Sequence, residues 1–415
     1  MRKREIVVLG LLLILVLFTG CNKGKAQATG KTDLLLWMPP FGSGDTMDME
    51  FWTRNNAPWA EQNNVNLSIE ITPWDNYEEK YLTGFSSGMG PDVGYMYLDM
   101  LDQFLNMDTL APLEPYFTKE EADNYLYYDL GNMRGKQCLI PIIVGNARVL
   151  WFNMDLLAKA GITTLPKTWD DFVQMGLKVN AANLGEDIMT FVQEWTGYYG
   201  VLQEIYYPFL LQAGGRTFSE DGTRVTLMDN DAAVRAAQFV YDLMYVHNIT
   251  SEASLSRLNS LPELFSQGKV VSAYMATGSV STIDASGVNW DFVPSLLDKL
   301  ERTWVVADFL MVNSASKNKE MAASLIKHMT SAPVMETFHT ELFSSPPISK
   351  NEAYKDHEKF RTMYSEGKNM YMDPAARNAF LINDNLLRNL QQMMLKEISA
   401  QEAIARTVEY ANSLR

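Results

Sequence analysis

Residues 33–40 read Asp33-Leu34-Leu35-Leu36-Trp37-Met38-Pro39-Pro40. An apolar run this short, stopped by two prolines, fits a buried strand that runs into a loop, because proline removes a ladder donor and fixes φ. Working outward, Leu67 to Ile71 is strand-like, Tyr77 to Phe85 has helical spacing and closes near Gly88, and Val93 to Tyr97 is again a strand. Strands that alternate with helices predict an α/β fold with mainly parallel sheets. Further on, Asp229-Asn230-Asp231 caps a helix that reaches Met244, Lys319 to Met329 is helical, and Leu386 to Tyr410 holds two more helical stretches. A chain of 415 residues exceeds one ordinary domain and suits two lobes.

Composition narrows the function. The chain is 47% apolar and 20% charged, which is globular, and its net charge of -15 repels phosphate backbones, so no nucleic-acid partner is expected. Arg2, Lys3 and Arg4 precede an apolar run from Ile6 to Phe18. That run is shorter than the roughly 20 residues of a spanning helix, so residues 1–20 read as a signal peptide. The run ends Thr19-Gly20-Cys21, which resembles the bacterial lipobox with Phe18 in place of the usual leucine. Cys21 is therefore expected to be acylated, and residues 21–32 to form a small, polar, lipid-anchored tether. Structure should begin at Asp33. The other of the two cysteines, Cys138, then has no disulfide partner and reads as a buried small hydrophobe.

The motifs for catalysis fail on context. Gly84-Phe85-Ser86-Ser87-Gly88 matches G-x-S-x-G, but a nucleophile elbow follows a strand and opens a helix, and this segment does the reverse. Gly30-Lys31-Thr32 precedes its strand and lacks the spaced glycine of a phosphate loop. Ser314-Ala315-Ser316-Lys317 and Ser324-Leu325-Ile326-Lys327 fit S-x-x-K without companion motifs. The four histidines, His247, His328, His339 and His357, form no ligand pair and read as neutral surface or capping groups. No carboxylate pair stands out for glycoside hydrolysis. The expectation is a chain without catalytic residues, cofactor or metal site.

Seven segments, in order, resemble the extracellular solute-binding proteins of ABC importers, family 1, the maltose-binding-protein type. They are Gly88-Met89-Gly90-Pro91-Asp92-Val93; Gly135-Lys136 through Pro141; Leu150-Trp151-Phe152-Asn153-Met154-Asp155 through Gly161; Pro166-Lys167-Thr168-Trp169-Asp170-Asp171-Phe172; Gln212-Ala213-Gly214-Gly215; Phe265-Ser266-Gln267-Gly268-Lys269-Val270; and Ser316-Lys317-Asn318-Lys319-Glu320-Met321-Ala322. Most of these pieces shape the fold. Thr168 reads as an N-cap with Asp171 three residues on, close to a capping box, and Trp169 reads as core.

The resemblance implies a two-lobed periplasmic-binding-protein fold of type II, with hinge crossings and an interlobe ligand cleft. It places 33–144 plus 309–332 in an N-terminal lobe and 145–308 plus 333–415 in a C-terminal lobe. Crossings are expected near Ile143–Arg148, Trp304–Phe309 and Thr330–Met335. It implies a monomer that captures an extracytoplasmic sugar by hinge closure and delivers it to ABC permease subunits, touching the membrane through its lipid anchor only. The alternatives are a surface lipoprotein that binds host or cell-wall glycans without transport, and a non-sugar solute such as a polyol, a glycerophosphodiester, a peptide or an amine. The expected ligand-binding residues are Trp37, Trp74, Tyr97, Asp99, Asn146, Arg148, Trp195, Tyr206, Gly278, Ser279, Trp304 and Asp308, since sugars are held by aromatic faces with hydrogen bonds at their hydroxyls. Val280 stands where the family often has tryptophan, so Trp195, Tyr198, Tyr206 or Trp304 would have to supply that ring.

Overall fold

The structure is a computed structural model that describes residues 30–42, 45–256, 260–367 and 369–414. The signal segment, Cys21 and the tether up to residue 29 lie outside the described residues. The first strand, β1 (Thr32–Met38), starts within one residue of the expected position. It pairs in parallel with β2 (Val65–Ile71) and β3 (Val93–Tyr97). Helices Asp45–Gln62 and Tyr77–Ser87 connect these strands. The second ends on Gly88 at φ 72, a left-handed C-cap, so the G-x-S-x-G segment is a helix terminus.

The sheet does not stop at a lobe boundary. β4 (Leu139–Asn153), β5 (Met189–Val192), β6 (Val270–Ala276), β7 (Trp290–Val293), β8 (Thr303–Val312) and the short β9 (Met370–Tyr371) join the first three strands in one nine-stranded sheet. Its main path runs β2-β1-β3-β8-β4-β6-β5, with β9 on β8 and β7 on β4. The flanks β2-β1-β3 and β6-β5 are parallel, as expected from strand–helix alternation. The centre is antiparallel, because β8 runs against both β3 and β4, so the sheet is mixed rather than mainly parallel.

β4 and β8 belong to both halves of the molecule. Leu139 to Ile143 of β4 enter a first core with Leu36, Trp52, Tyr95 and Phe309. Leu150 and Phe152 enter a second core with Phe172, Leu210, Val240 and Leu390. The alternate residues Ala147, Val149 and Trp151 enter a third, on the opposite face of the sheet. Between these stretches the strand continues but turns irregular at Gly145 (φ 110) and Asn146 (φ 40), and the β4–β8 register shifts at Trp304/Val306 and at Asp308/Phe309.

One expected boundary moves. Val334, Met335, Phe338, Leu342 and Ile348 pack in the first core, where the sequence reading put residue 333 onward in the C-terminal lobe. Thr330–Met335 is therefore no crossing. Pro333 lies in the first turn of a new helix, Ala332–Thr337, that stays on the same core, and the Thr330 hydroxyl bonds Tyr125 at 2.6 Å. The third passage falls between Ile348 of the first core and Phe360 of the third.

Several local expectations hold. Thr168 accepts from Asp171 N at 3.0 Å and Asp171 Oδ2 accepts from Thr168 N at 3.1 Å, a full capping box on the helix Trp169–Ala182. Helix Lys319–Met329 has the expected bounds. Cys138 is buried. His339 departs from its surface reading: it is buried and lies 2.9 Å from the Glu352 carboxylate.

Candidate ligand-binding site

Where β3, β4 and β8 meet the loops of the second core, the chain encloses a cavity of about 220 Å³. This is the scale of a small-molecule site rather than of one buried water. Its floor is the crossing pair. On β8, every residue from Trp304 to Asp308 lines the cavity, where the register shift between Trp304 and Val306 breaks the regular alternation of faces. Register places Trp304 opposite Arg148, and Asp308 between Ile143 and Tyr97. Tyr95 and Tyr97, two apart on β3, line the cavity, while Met96 between them is core.

One wall grows from the first core. Trp74 follows Pro73 at the start of a short turn, and its Nε1 donates to the Pro40 carbonyl at 3.0 Å. The other wall is the loop Tyr198-Tyr199-Gly200 with Gln203. The two walls touch. The Trp74 and Tyr198 rings stack, the Tyr199 hydroxyl donates to Glu78 Oε1 at 3.2 Å, and Asn383 Nδ2 donates to Asp99 Oδ2 at 3.2 Å. Phe41, Phe343, Met372 and Asp373 complete the lining.

Arg148 is the arginine of the site, and the protein already engages it. Nη1 donates to the Asn146 carbonyl at 2.7 Å, Nη2 donates to Gln203 Oε1 at 2.5 Å, and Nε lies 3.6 Å from Glu204. The carboxylates are less well served. Burial pushes Asp308 up to about 7, against the Tyr95 hydrogen bond and the Arg148 charge that lower it. Burial, then the Asp99 charge, pushes Asp373 up to about 8. Burial raises Asp99 to about 6 despite the Asn383 hydrogen bond, and raises Glu78 and Glu204 to about 7. Several polar atoms at the cavity have no hydrogen-bond partner among the described residues: Tyr97 Oη, Arg148 Nε, Trp304 Nε1 and Asp373 Oδ2.

Of the residues expected from the sequence, Trp74, Tyr97, Asp99, Asn146, Arg148, Trp304 and Asp308 come together here. Trp37, Trp195 and Tyr206 do not. Trp37 points from β1 toward Tyr81, with its ring over the Gly84 backbone. Trp195 is 2% exposed inside the second core. Tyr206 is buried there too, and its hydroxyl donates to the Ala233 carbonyl. Gly278 and Ser279 sit beside the cavity rather than in its lining. Gly278 N donates to Asn146 Oδ1 at 3.1 Å, and Phe343 packs against the Gly278 backbone. Phe343 thus supplies an aromatic ring near the loop where Val280 replaces the family tryptophan. Sequence reasoning missed Tyr95, Tyr199, Gln203, Phe343 and Asp373. The i, i+2 spacing of Tyr95 with Tyr97 was the one readable signal among them.

Crossing strands that serve two cores, with a polar aromatic cavity at the point of crossing, define a solute-binding protein of the hinged, two-lobed type. The chain belongs to the bacterial extracellular solute-binding protein family, which it matches over residues 42–336. It is 26% identical over 308 residues to a binding protein of Brucella abortus, covering 72% of each chain. It is 23% identical over 352 residues to the diacetylchitobiose binding protein of Streptomyces coelicolor, covering 79% of this chain and 78% of that one. Its fold superposes on maltose-bound MalE3 of T. maritima with a TM-score of 0.80 at 21% identity, covering 92% of this chain and all of that one. Among the described residues, no helix is long and apolar enough to cross a membrane.

Proposed function

We propose that this chain captures an extracytoplasmic sugar or short oligosaccharide in the cleft and hands it to the permease of an ABC importer. The observation that carries this reading is the lining itself. Trp74, Tyr97 and Tyr198 offer aromatic faces beside the carboxylates of Asp99 and Asp308 and the Arg148 guanidinium, the combination that sugar C–H faces and hydroxyls require. Relatives named for sugar ligands support it. In this reading Trp74, Tyr97, Asp99, Asn146, Arg148, Trp304 and Asp308 contact the solute, and Gly145–Asn146 is a hinge. The chain acts as a monomer with no catalytic step, and Cys21 carries the lipid that holds it outside the cytoplasm.

A thermal-shift screen across mono- and oligosaccharides tests the reading. A ligand at about 100 times its Kd stabilises the bound form by about 2.7 kcal/mol, which is a shift of several degrees. A flat response to every sugar, beside a clear response to another solute class, overturns it.

A further inference from the structure

Asp99, Asp308 and Asp373 line the same cavity and are 7%, 7% and 2% exposed. Asp99 accepts from the Asn383 amide and Asp373 from the Tyr371 hydroxyl, both neutral donors, and the neutral group beside Asp308 is the Tyr95 hydroxyl. None of the three forms an ion pair among the described residues, and the one arginine of the lining, Arg148, donates through Nη1 and Nη2 to the Asn146 carbonyl and Gln203 and lies 3.6 Å from Glu204, its Nε left without an acceptor. A carboxylate removed from water stays ionised only when a cation or several strong donors replace its hydration. Neutral phenols and amides replace it in part, and the Asp99 charge opposes ionisation of both Asp308 and Asp373. The lining is short of positive charge.

A second observation is independent of that acidity. Trp304 is 4% exposed, lines the cavity and leaves its indole N–H without an acceptor, while Asp373 Oδ2 lies buried without a donor. The Trp304 and Arg148 N–H groups are left for an acceptor and Asp373 Oδ2 for a donor, and a hydroxylated cation brings both. A metal ion would need oxygen ligands gathered at one point, and no three acidic, histidine or cysteine side chains among the described residues are so grouped. Trp74, Tyr97 and Tyr198 line the same cavity as the carboxylates, and aromatic faces attract an ammonium group.

We infer that the cleft selects a sugar carrying a protonated amine, the ammonium lying among Asp99, Asp308 and Asp373 and a ring oxygen or hydroxyl accepting from Trp304 Nε1. This rests on the sugar reading above and names its class. Isothermal titration tests it with sets that differ at one substituent: glucosamine, galactosamine and chitobiose with free amines, against their N-acetyl and hydroxyl counterparts, at a pH where the amine is charged. The free-amine member of at least one set should bind about tenfold or more tighter than both counterparts. Asp308→Asn and Asp373→Asn should each reduce that preference to about threefold or less, with the circular dichroism and melting of the ligand-free protein retained. Binding of neutral or acetylated sugars with no amine form preferred overturns the inference and leaves the sugar reading standing. Binding of spermidine with no sugar bound overturns both, as does no binding in any set.

Discussion

The indole of Trp74 and the phenol of Tyr198 lie parallel across the cavity, with centroids 6.1 Å apart and planes 5° from each other. One ring packs on the first core and the other on the second. A sugar ring between them would need van der Waals contact on both faces, a spacing of about 7–8 Å. The pair therefore closes over the cavity rather than holding a pyranose between its faces. Ligand entry requires the two walls to part, and the crossing segments are where that movement has to be absorbed.

Tyr198→Ala removes one of the two rings. Affinity for the sugar found by screening should fall by about 2 kcal/mol, roughly thirtyfold, as for a buried aromatic anchor. Calorimetric titration of the variant checks this. An unchanged Kd would mean that the ring packs against its neighbours without serving the ligand.

Gly145 carries φ 110 in the middle of β4, and a Cβ there would lie 2.9 Å from Pro346 Cγ and 3.1 Å from Tyr364 Cε1. Gly145→Ala should cost about 2 kcal/mol or more, from backbone strain and crowding together. Urea unfolding reads the loss. Wild-type stability would show that the segment yields without strain.

The raised carboxylates set a pH dependence. In the unfolded chain an aspartate titrates near about 3.9, while burial holds Asp308 up to about 7 and Asp373 up to about 8. Above the unfolded value the native state keeps protons that the unfolded chain has released, so stability falls as pH rises, and this contribution is gone once pH passes the folded values. The melting temperature of the ligand-free protein should therefore fall between about pH 5 and about pH 8. Asp308→Asn with Asp373→Asn should flatten the fall. Arg148 and Arg216 oppose the effect, and their removal should steepen it.

What the sequence revealed follows the range of the forces involved. The Thr168–Asp171 capping box and the helix Lys319–Met329 depend on neighbours a few residues away, and both were readable. Trp74, Arg148, Trp304 and Asp308 were readable because a turn after a proline and strands expected to cross place side chains at the cleft. Trp37 failed on parity. Successive strand residues face opposite ways, and Trp37 faces the helix that carries Tyr81 and Gly84. Trp195 and Tyr206 failed because their burial is set by distant packing, such as the Tyr206 hydroxyl on Ala233. Asp373 was invisible for a similar reason: it reaches the cavity only because the chain stays on the first core through Ile348 before returning.

Cys21→Ala tests the proposed anchor. The variant should appear in the soluble fraction after cell lysis, and the wild-type protein should carry a lipid mass. A wild-type protein without lipid, together with a variant that stays with the membrane, would remove the anchor from the account.

Trp74 and Trp304 both line the cavity, so intrinsic tryptophan fluorescence reports on the site itself. The most direct measurement is that emission during titration with each sugar found by screening. A saturable change with one site per chain is expected, reduced in amplitude by Trp74→Phe, which leaves Trp304 to report, and weakened by about tenfold or more in affinity in Asp308→Asn, with far-ultraviolet circular dichroism unchanged in both. A response of full amplitude in Trp74→Phe with an unchanged Kd in Asp308→Asn, or no saturable response to any sugar, would contradict this reading.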